Sequence, residues 1–287
     1  MKKLIALTMA LVLALAFAAC GSSAASSAPA SAAASAAGSS AAVSAAGSSS
    51  AAATPTLDAI KAKGKIVMMT ATGFPPYEYI GDDGQPAGVD IDLAQLVADD
   101  LGVKLEVIDM NFDLLIDALK SGKGDFIAAG MTATEERATQ IDFSVSYTAN
   151  GLLMVVAADN DTIKTAADLD GKTIAVQTGT TADVYATDTV KGATVLTFNT
   201  PIEAGTAVSS GKADVAIIDN LPAKSIAGSS DGKLKVIDEF VTQEPMAMGI
   251  AKGQEDLVAE INKVLQKAID DGTVQSLTDK HYEIAGA

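Results

Sequence analysis

The sequence predicts an α/β fold built as two lobes of like topology, and three observations predict it. From residue 56 onward, stretches of strand pattern alternate with stretches of helix pattern, which implies a mostly parallel sheet with helices packed against it. The chain also repeats a signature. Ser121-Gly-Lys-Gly-Asp-Phe-Ile-Ala-Ala-Gly130 matches Ser210-Gly-Lys-Ala-Asp-Val-Ala-Ile-Ile-Asp219, each a helix stopped at Gly and a buried strand begun after Asp. Gly64-Lys-Ile-Val likewise matches Gly171-Lys-Thr-Ile. Ser-Gly-Lys is a common helix stop, but two matches with the same Asp spacing favour a repeat. Gly130 and Asp219 then occupy equivalent strand ends. Ligands of open α/β sheets bind outside the carboxyl ends of strands, so two facing sheets enclose a ligand between these positions.

The elements follow in order. Thr56 to Lys63 reads as a short helix ended by Gly64, and Lys65 to Thr70 as a strand. Residues 81 to 88 form a turn cluster. Val89 to Leu101 carries apolar residues at helical spacing (Ile91, Leu93, Leu96, Val97, Leu101) and is closed by Gly102. Lys104 to Met110 is a strand, Phe112 to Lys120 a helix, and Asp125 to Ala129 a strand. A Thr-rich turn then leads into a helix that holds Arg137. In the second half, Thr173 to Gln177 is a strand, followed by a helix running to Ala186.

The N-terminus reads as an export signal. Lys2 and Lys3 form a positive start, Leu4 to Phe17 an apolar stretch short for a membrane span, and Ala18-Ala19-Cys20 a small-residue end. Cys20 is the single cysteine. Its place resembles a bacterial lipobox, whose thiol is lipidated, although Phe17 stands where Leu is usual. With no second cysteine, the exported domain folds without an intramolecular disulfide. Residues 21 to 55 are almost all Ala, Ser and Gly, which cannot build a core and read as a flexible tether. The formal net charge of -16 argues against nucleic acid and against charge-driven binding to anionic lipid.

Arg137 is the one arginine among 20 basic residues. Its planar fork pairs bidentately with a carboxylate, which an ammonium does not do. A surface pair with Glu135 or Asp142 is the simpler alternative.

Taken together, several short stretches resemble the family 3 extracellular solute-binding proteins, the amino-acid-binding components of bacterial ABC importers. They are Gly73-Phe-Pro-Pro-Tyr-Glu-Tyr79, Gly88-Val-Asp-Ile-Asp-Leu-Ala94, Phe112-Asp-Leu-Leu-Ile-Asp-Ala-Leu119, Ala129-Gly-Met-Thr-Ala-Thr-Glu-Glu-Arg137, Gln177-Thr-Gly-Thr-Thr181, Ala213-Asp-Val-Ala-Ile-Ile-Asp219 and Asp271-Gly-Thr273. Each is weak alone; their order and spacing are specific. The resemblance implies a two-lobed periplasmic-binding-protein-like fold of type II, with two crossovers near Asn150 to Leu152 and Gln243 to Met246. Residues 56–150 and 245–287 would form one lobe and 151–244 the other, after a signal peptide over 1–20.

An α-amino acid presents a carboxylate and an ammonium a fixed distance apart. Arg137 suits the carboxylate, helped by the Thr132 N–H at a helix entrance. Asp219 suits the ammonium, with the Gly130 carbonyl and the Thr132 hydroxyl; the resemblance implies the same roles. Thr132 to Glu135 also fits a capping box, and Asp219 alone would pass for an exposed turn carboxylate. Thr180 and Thr181, at a Gly-containing helix start, are expected to complete the carboxylate clamp from the second lobe. Phe74 and Phe112 sit where the family places aromatic walls, though core packing would also explain them. Thr70-Ala71-Thr72, Ala129 and Ile218 supply no side-chain charge, and Gln177 offers a hydrogen bond, so a ligand with a neutral side chain is expected.

No cofactor and no metal is expected: one cysteine and one histidine do not build a usual zinc site. His281, the single histidine, lies near the C-terminus, which disfavours a His-based triad. The expected role is therefore non-enzymatic: a lipid-anchored, extracytoplasmic monomer delivering an amino acid to an ABC permease. A ligand sensor for a receptor shares such a site, and a dehydratase on the same fold is the enzymatic alternative. The anchoring expectation has a direct test. Cys20→Ala should release the protein from the membrane fraction or stall its processing, with ligand binding intact. Membrane retention of a normally processed variant contradicts the anchor.

Overall fold

The computed structural model describes residues 55–285. The signal, with Cys20, and all of the expected tether but Pro55 lie outside the described residues. The first sheet is entered through α1 (Pro55–Lys63), β1 (Lys65–Thr70), a small hairpin of β2 (Tyr79–Ile80) and β3 (Pro86–Ala87), α2 (Val89–Leu101) and β4 (Lys104–Asp109). It continues through α3 (Leu115–Lys120), β5 (Phe126–Ile127), α4 (Glu135–Ala138) and β6 (Ile141–Phe143). The second is made by β7 (Thr148–Ala157), β8 (Thr173–Gln177), α5 (Thr181–Asp188), β9 (Thr194–Phe198), α6 (Pro201–Ser209), β10 (Val215–Asp219), α7 (Asn220–Gly228) and β11 (Leu234–Met246). The chain then returns to the first through β12 (Gly249–Ala251), α8 (Glu255–Asp270) and α9 (Thr273–Ile284).

The repeat is topological. The first sheet has the order β4-β1-β5-β12-β6 and the second, read from its far edge, β9-β8-β10-β7-β11. In each, a central strand has a parallel neighbour on one side and an antiparallel one on the other: β5 between β1 and β12, β10 between β8 and β7. Each sheet buries both faces by strand alternation. Val215 and Ile217 of β10 enter one core cluster with Leu152, Met154 and Val156 of β7, while Ala216 and Ile218 enter another with Leu153 and Val155. In the first sheet Ile66 and Met68 face the cluster under α2 and α8, and Met69 faces the cluster under α3.

Local structure departs from the sequence expectation where tertiary bonds take over. The ladder of β5 is only two residues long, Phe126–Ile127, and just before it the Asp125 carboxylate accepts from the Val67 N–H at 2.8 Å. The expected helix at Phe112 opens as a 3₁₀ turn, Phe112–Leu114. His281 is buried, with Nδ1 2.8 Å from the Tyr79 hydroxyl and Nε2 2.9 Å from Asp92, pinning α9 to α2 and the hairpin.

The chain changes sheet twice, between β6 and β7 and between β11 and β12. β7 and β11 run antiparallel side by side, from Thr148 opposite Met246 to Gly151 opposite Gln243. A β-carbon on Gly151 would lie 2.3 Å from the Thr242 carbonyl and 2.6 Å from the Phe240 ring. Gly151→Ala should therefore cost about 1–3 kcal/mol by overpacking the crossover. Chemical unfolding checks this, and an unchanged midpoint would show that the crossovers yield freely.

Candidate functional site

The loop after β5 and the end of β10 meet at one narrow cavity between the two sheets. All nine residues singled out from the sequence line it: Phe74, Phe112, Gly130, Thr132, Arg137, Gln177, Thr180, Thr181 and Asp219. Ala71, Glu78 and Ala129 complete the wall.

Arg137 is held by a single helical turn. The Thr134 hydroxyl, not Thr132, caps that turn by accepting from the Arg137 N–H at 3.2 Å, which corrects the capping box expected at Thr132. The guanidinium Nη1 donates to the Thr132 carbonyl at 2.8 Å and Nη2 to the Gly179 carbonyl at 3.0 Å, so its two prongs bond to segments tied to different sheets. Its centre lies 5.2 Å from the Phe112 ring centroid, so that ring backs the cation. No carboxylate among the described residues comes within ion-pair distance of it; Asp142 pairs with Lys252 at 2.7 Å. Arg137 is 9 % exposed. Burial pulls the guanidinium below its usual range, opposed by the charges of Glu244, Asp219 and Glu136.

Asp219 ends β10 and is 8 % exposed, so it is no surface turn carboxylate. It accepts a hydrogen bond from Asn150 Nδ2 and meets no cation at ion-pair distance among the described residues. Burial first, then the charge of Glu244, pushes its pKa up to about 7, against the Asn150 bond and the charge of Arg137.

The floor is fixed by Gly130. Its φ of 53° and the Phe74 ring, 2.4 Å from where a β-carbon would stand, allow no side chain. The Gly130 N–H donates to Asp90 Oδ2 at 2.8 Å, which also accepts from the Tyr147 hydroxyl at 3.0 Å. Asp90 is fully buried, and its pKa rises to about 6 through desolvation, which outweighs those two bonds.

Three side chains have partners the sequence did not reveal. The Thr132 hydroxyl donates to Glu244 Oε2 at 2.9 Å. The Thr180 hydroxyl donates to the Gln177 carbonyl at 2.8 Å and accepts from the Asp183 N–H, which makes it the cap of α5. Gln177 Nε2 donates to the Asn199 carbonyl at 2.9 Å. Among the described residues, no group of three or more His, Cys, Asp or Glu side chains is placed to hold a metal ion.

Comparison with known proteins decides the family. The bacterial extracellular solute-binding proteins, family 3, match residues 66–284. The chain belongs to this family. The L-cystine-binding protein TcyJ of Escherichia coli K12 is 30 % identical over 79 % of this chain and 85 % of its own length. A solved mutant of ArgBP from T. maritima superposes with a TM-score of 0.76 at 34 % identity, over 79 % of this chain and 99 % of that one. An ancestral arginine-binding protein bound to glutamine gives 0.71 at 38 % identity, over 76 % and 97 %.

Within this family 3 protein, one wall residue corrects the reading of an uncharged pocket. Glu78 is 1 % exposed, lines the cavity, and its Oε2 has no hydrogen-bond partner. A tight turn brings it there, in which the Gly73 and Phe74 N–H groups both donate to the Glu78 carbonyl. Desolvation, then the charges of Asp90, Asp219 and Asp109, hold its carboxyl well above the usual range. The signal was legible, since Glu78 stands in the same motif as Phe74. Asn150 and Glu244 lie in the expected crossovers, but nothing in their sequence context marks them as cavity partners.

A stability test follows from Asp219. Its folded pKa of about 7 exceeds the unfolded value, so the empty protein binds more protons than the unfolded chain between about pH 4 and 7. Its contribution is most favourable below the unfolded pKa and is lost as pH rises through 7. Asp219→Asn keeps the acceptor for Asn150 and should stabilise the empty protein by about 2–4 kcal/mol at pH 8, with the gap closing towards pH 4. Urea unfolding at both pH values measures this. Equal stability of the two proteins at pH 8 contradicts a costly buried carboxylate.

Proposed function

We propose that this family 3 protein captures one α-amino acid between its two lobes and hands it to an ABC permease, held at the outer face of the membrane by lipid on Cys20. One observation carries the reading. A buried guanidinium and a buried carboxyl, neither with an ion-pair partner among the described residues, line the same cavity, carried by the two repeats. A zwitterion supplies both missing partners at once. Neither charge is neutralised by its own side of the cavity, and a buried ion is costly until it is paired. The lobes are proposed as residues 56–150 with 245–287, and 151–244. The relatives named above bind amino acids by their names or titles, which favours a binding role over an enzymatic one.

The ligand side chain is read by the Phe74 ring, Gln177 and Glu78. Burial holds the Glu78 carboxyl well above the usual range, which favours its neutral form; in that form it offers both a donor and an acceptor and suits a neutral polar side chain such as an amide. Its unpaired Oε2 favours a second reading, in which a guanidinium or ammonium side chain ionises Glu78 and pairs with it. Calorimetry with L-glutamine, L-arginine and L-cystine separates the two. The first reading expects a neutral ligand to bind at least tenfold tighter than L-arginine, about 1.4 kcal/mol, and to survive Glu78→Gln. Tighter binding of L-arginine that collapses in Glu78→Gln establishes the second reading. Failure of all the common amino acids and of L-cystine to bind overturns the function.

A further inference from the structure

The loop that carries Thr132 is bonded to a crossover strand. Ala133 N–H donates to the Pro245 carbonyl at 3.1 Å, Ala247 N–H donates to the Met131 carbonyl at 3.0 Å, and Thr132 bridges to Met246. Beside this bridge, Glu244 accepts two hydroxyl protons, from Thr132 through Oε2 at 2.9 Å and from Thr242 through Oε1 at 2.8 Å. Glu244 stands in register with Asn150 on the neighbouring crossover strand, and Asn150 donates to Asp219. One rung across the crossovers therefore reaches Thr132 at one end and Asp219 at the other.

The chemistry of that contact is one-directional. A threonine hydroxyl has one proton and two lone pairs, while an ionised carboxylate only accepts. With its proton on Glu244, Thr132 Oγ1 has only lone pairs left for the cavity it lines. Those lone pairs accept from an N–H donor and repel a second acceptor. A neutral amide at 244 would impose no such polarity, because it can donate to the hydroxyl as readily as accept from it.

We infer that Glu244 is a positioning residue: by holding the Thr132 proton it fixes that hydroxyl as an acceptor, and it thereby selects ligands that carry an α-ammonium group over analogues that lack one. The inference rests on the proposed amino-acid site. Electrostatics supports it: among charges, that of Glu244 acts most strongly on both Arg137 and Asp219. A fixed negative charge beside the acceptor favours a cationic donor and disfavours bare carboxylates.

The test uses the tightest-binding ligand from a panel of the common L-amino acids and L-cystine. It is paired with the carboxylic acid of the same skeleton that lacks the α-amino group: glutaramate for L-glutamine, 5-guanidinopentanoate for L-arginine. Binding is read by calorimetry, with competition at millimolar concentration for the weaker analogue. In Glu244→Gln the preference for the amino acid should fall at least about tenfold, almost wholly through the amino acid's own affinity. Thr132→Val should lose the same preference, and the double variant should lose no more than either single one, as expected for two residues acting through one contact. Melting of the unliganded variants separates folding loss from binding loss, and Glu244→Asp, which keeps the charge but retracts it from the Thr132 hydroxyl, carries the test with the same expected loss of preference if Glu244→Gln does not fold. Equal weakening of amino acid and analogue, or an unchanged preference, overturns the inference and leaves the amino-acid site standing. A wild-type protein that binds no member of the panel overturns the site itself.

Discussion

A buried guanidinium with no carboxylate at ion-pair distance among the described residues is the constraint on which the rest of the site depends. Moving a charge out of water is costly, and proteins normally offset that with a paired ion. Among the described residues, Arg137 is satisfied by two neutral carbonyls and by the face of Phe112. The nearby fold is arranged to tolerate it. Thr134 caps the short turn from which it projects, Phe112 backs it, and Glu244 and Asp219 supply negative potential without closing an ion pair. Asp219 is the complementary case, a carboxyl whose burial outweighs its hydrogen bond from Asn150. Two groups of opposite character without ionic partners among the described residues are what the proposed zwitterion would complete.

The same guanidinium connects the site to the two-lobed architecture. One prong reaches the Thr132 carbonyl, in the loop bonded to the crossover strand, and the other reaches the Gly179 carbonyl, in the loop after β8. Gly179 also approaches Asp113 so closely that a β-carbon would lie 3.0 Å from the Asp113 β-carbon, and Gly73 approaches Thr200 to the same distance. The lobes therefore touch on both sides of the cavity. A ligand shifts such a closed arrangement only by its differential affinity for it. In the proposed binding mode, contacts drawn from both repeats would be the source of that difference, because neither repeat alone offers both Arg137 and Asp219.

Much of this was legible in the chain. The repeat at Ser121 and Ser210 located both central strands, because a Gly stop followed by Asp and an apolar run is a local signal. The lone arginine and the acid ending the second repeat marked residues that the fold brings to one cavity. What was not legible depends on distant partners. The capping role passed from Thr132 to Thr134 because the Thr132 hydroxyl is taken by Glu244, 112 residues away. At the start of β5, the Asp125 side chain bonds back to Val67, 58 residues away. Glu78 is hidden for a different reason: Thr70-Ala71-Thr72, directly after β1, carries no acid, whereas the Phe74 to Glu78 turn brings an acid from further along the chain to the same wall.

The most direct measurement is the affinity of Arg137→Lys for the bound amino acid, set beside the unfolding free energy of the empty variant. Lysine keeps the charge and loses the fork, so the carboxylate of the ligand keeps attraction but loses bidentate geometry. The prediction is a loss of affinity of at least about tenfold, or 1.4 kcal/mol, with unliganded stability changed by less than about 1 kcal/mol. Unchanged affinity together with a large loss of stability would contradict it, and would make Arg137 a structural tie between Thr132 and Gly179 and nothing more.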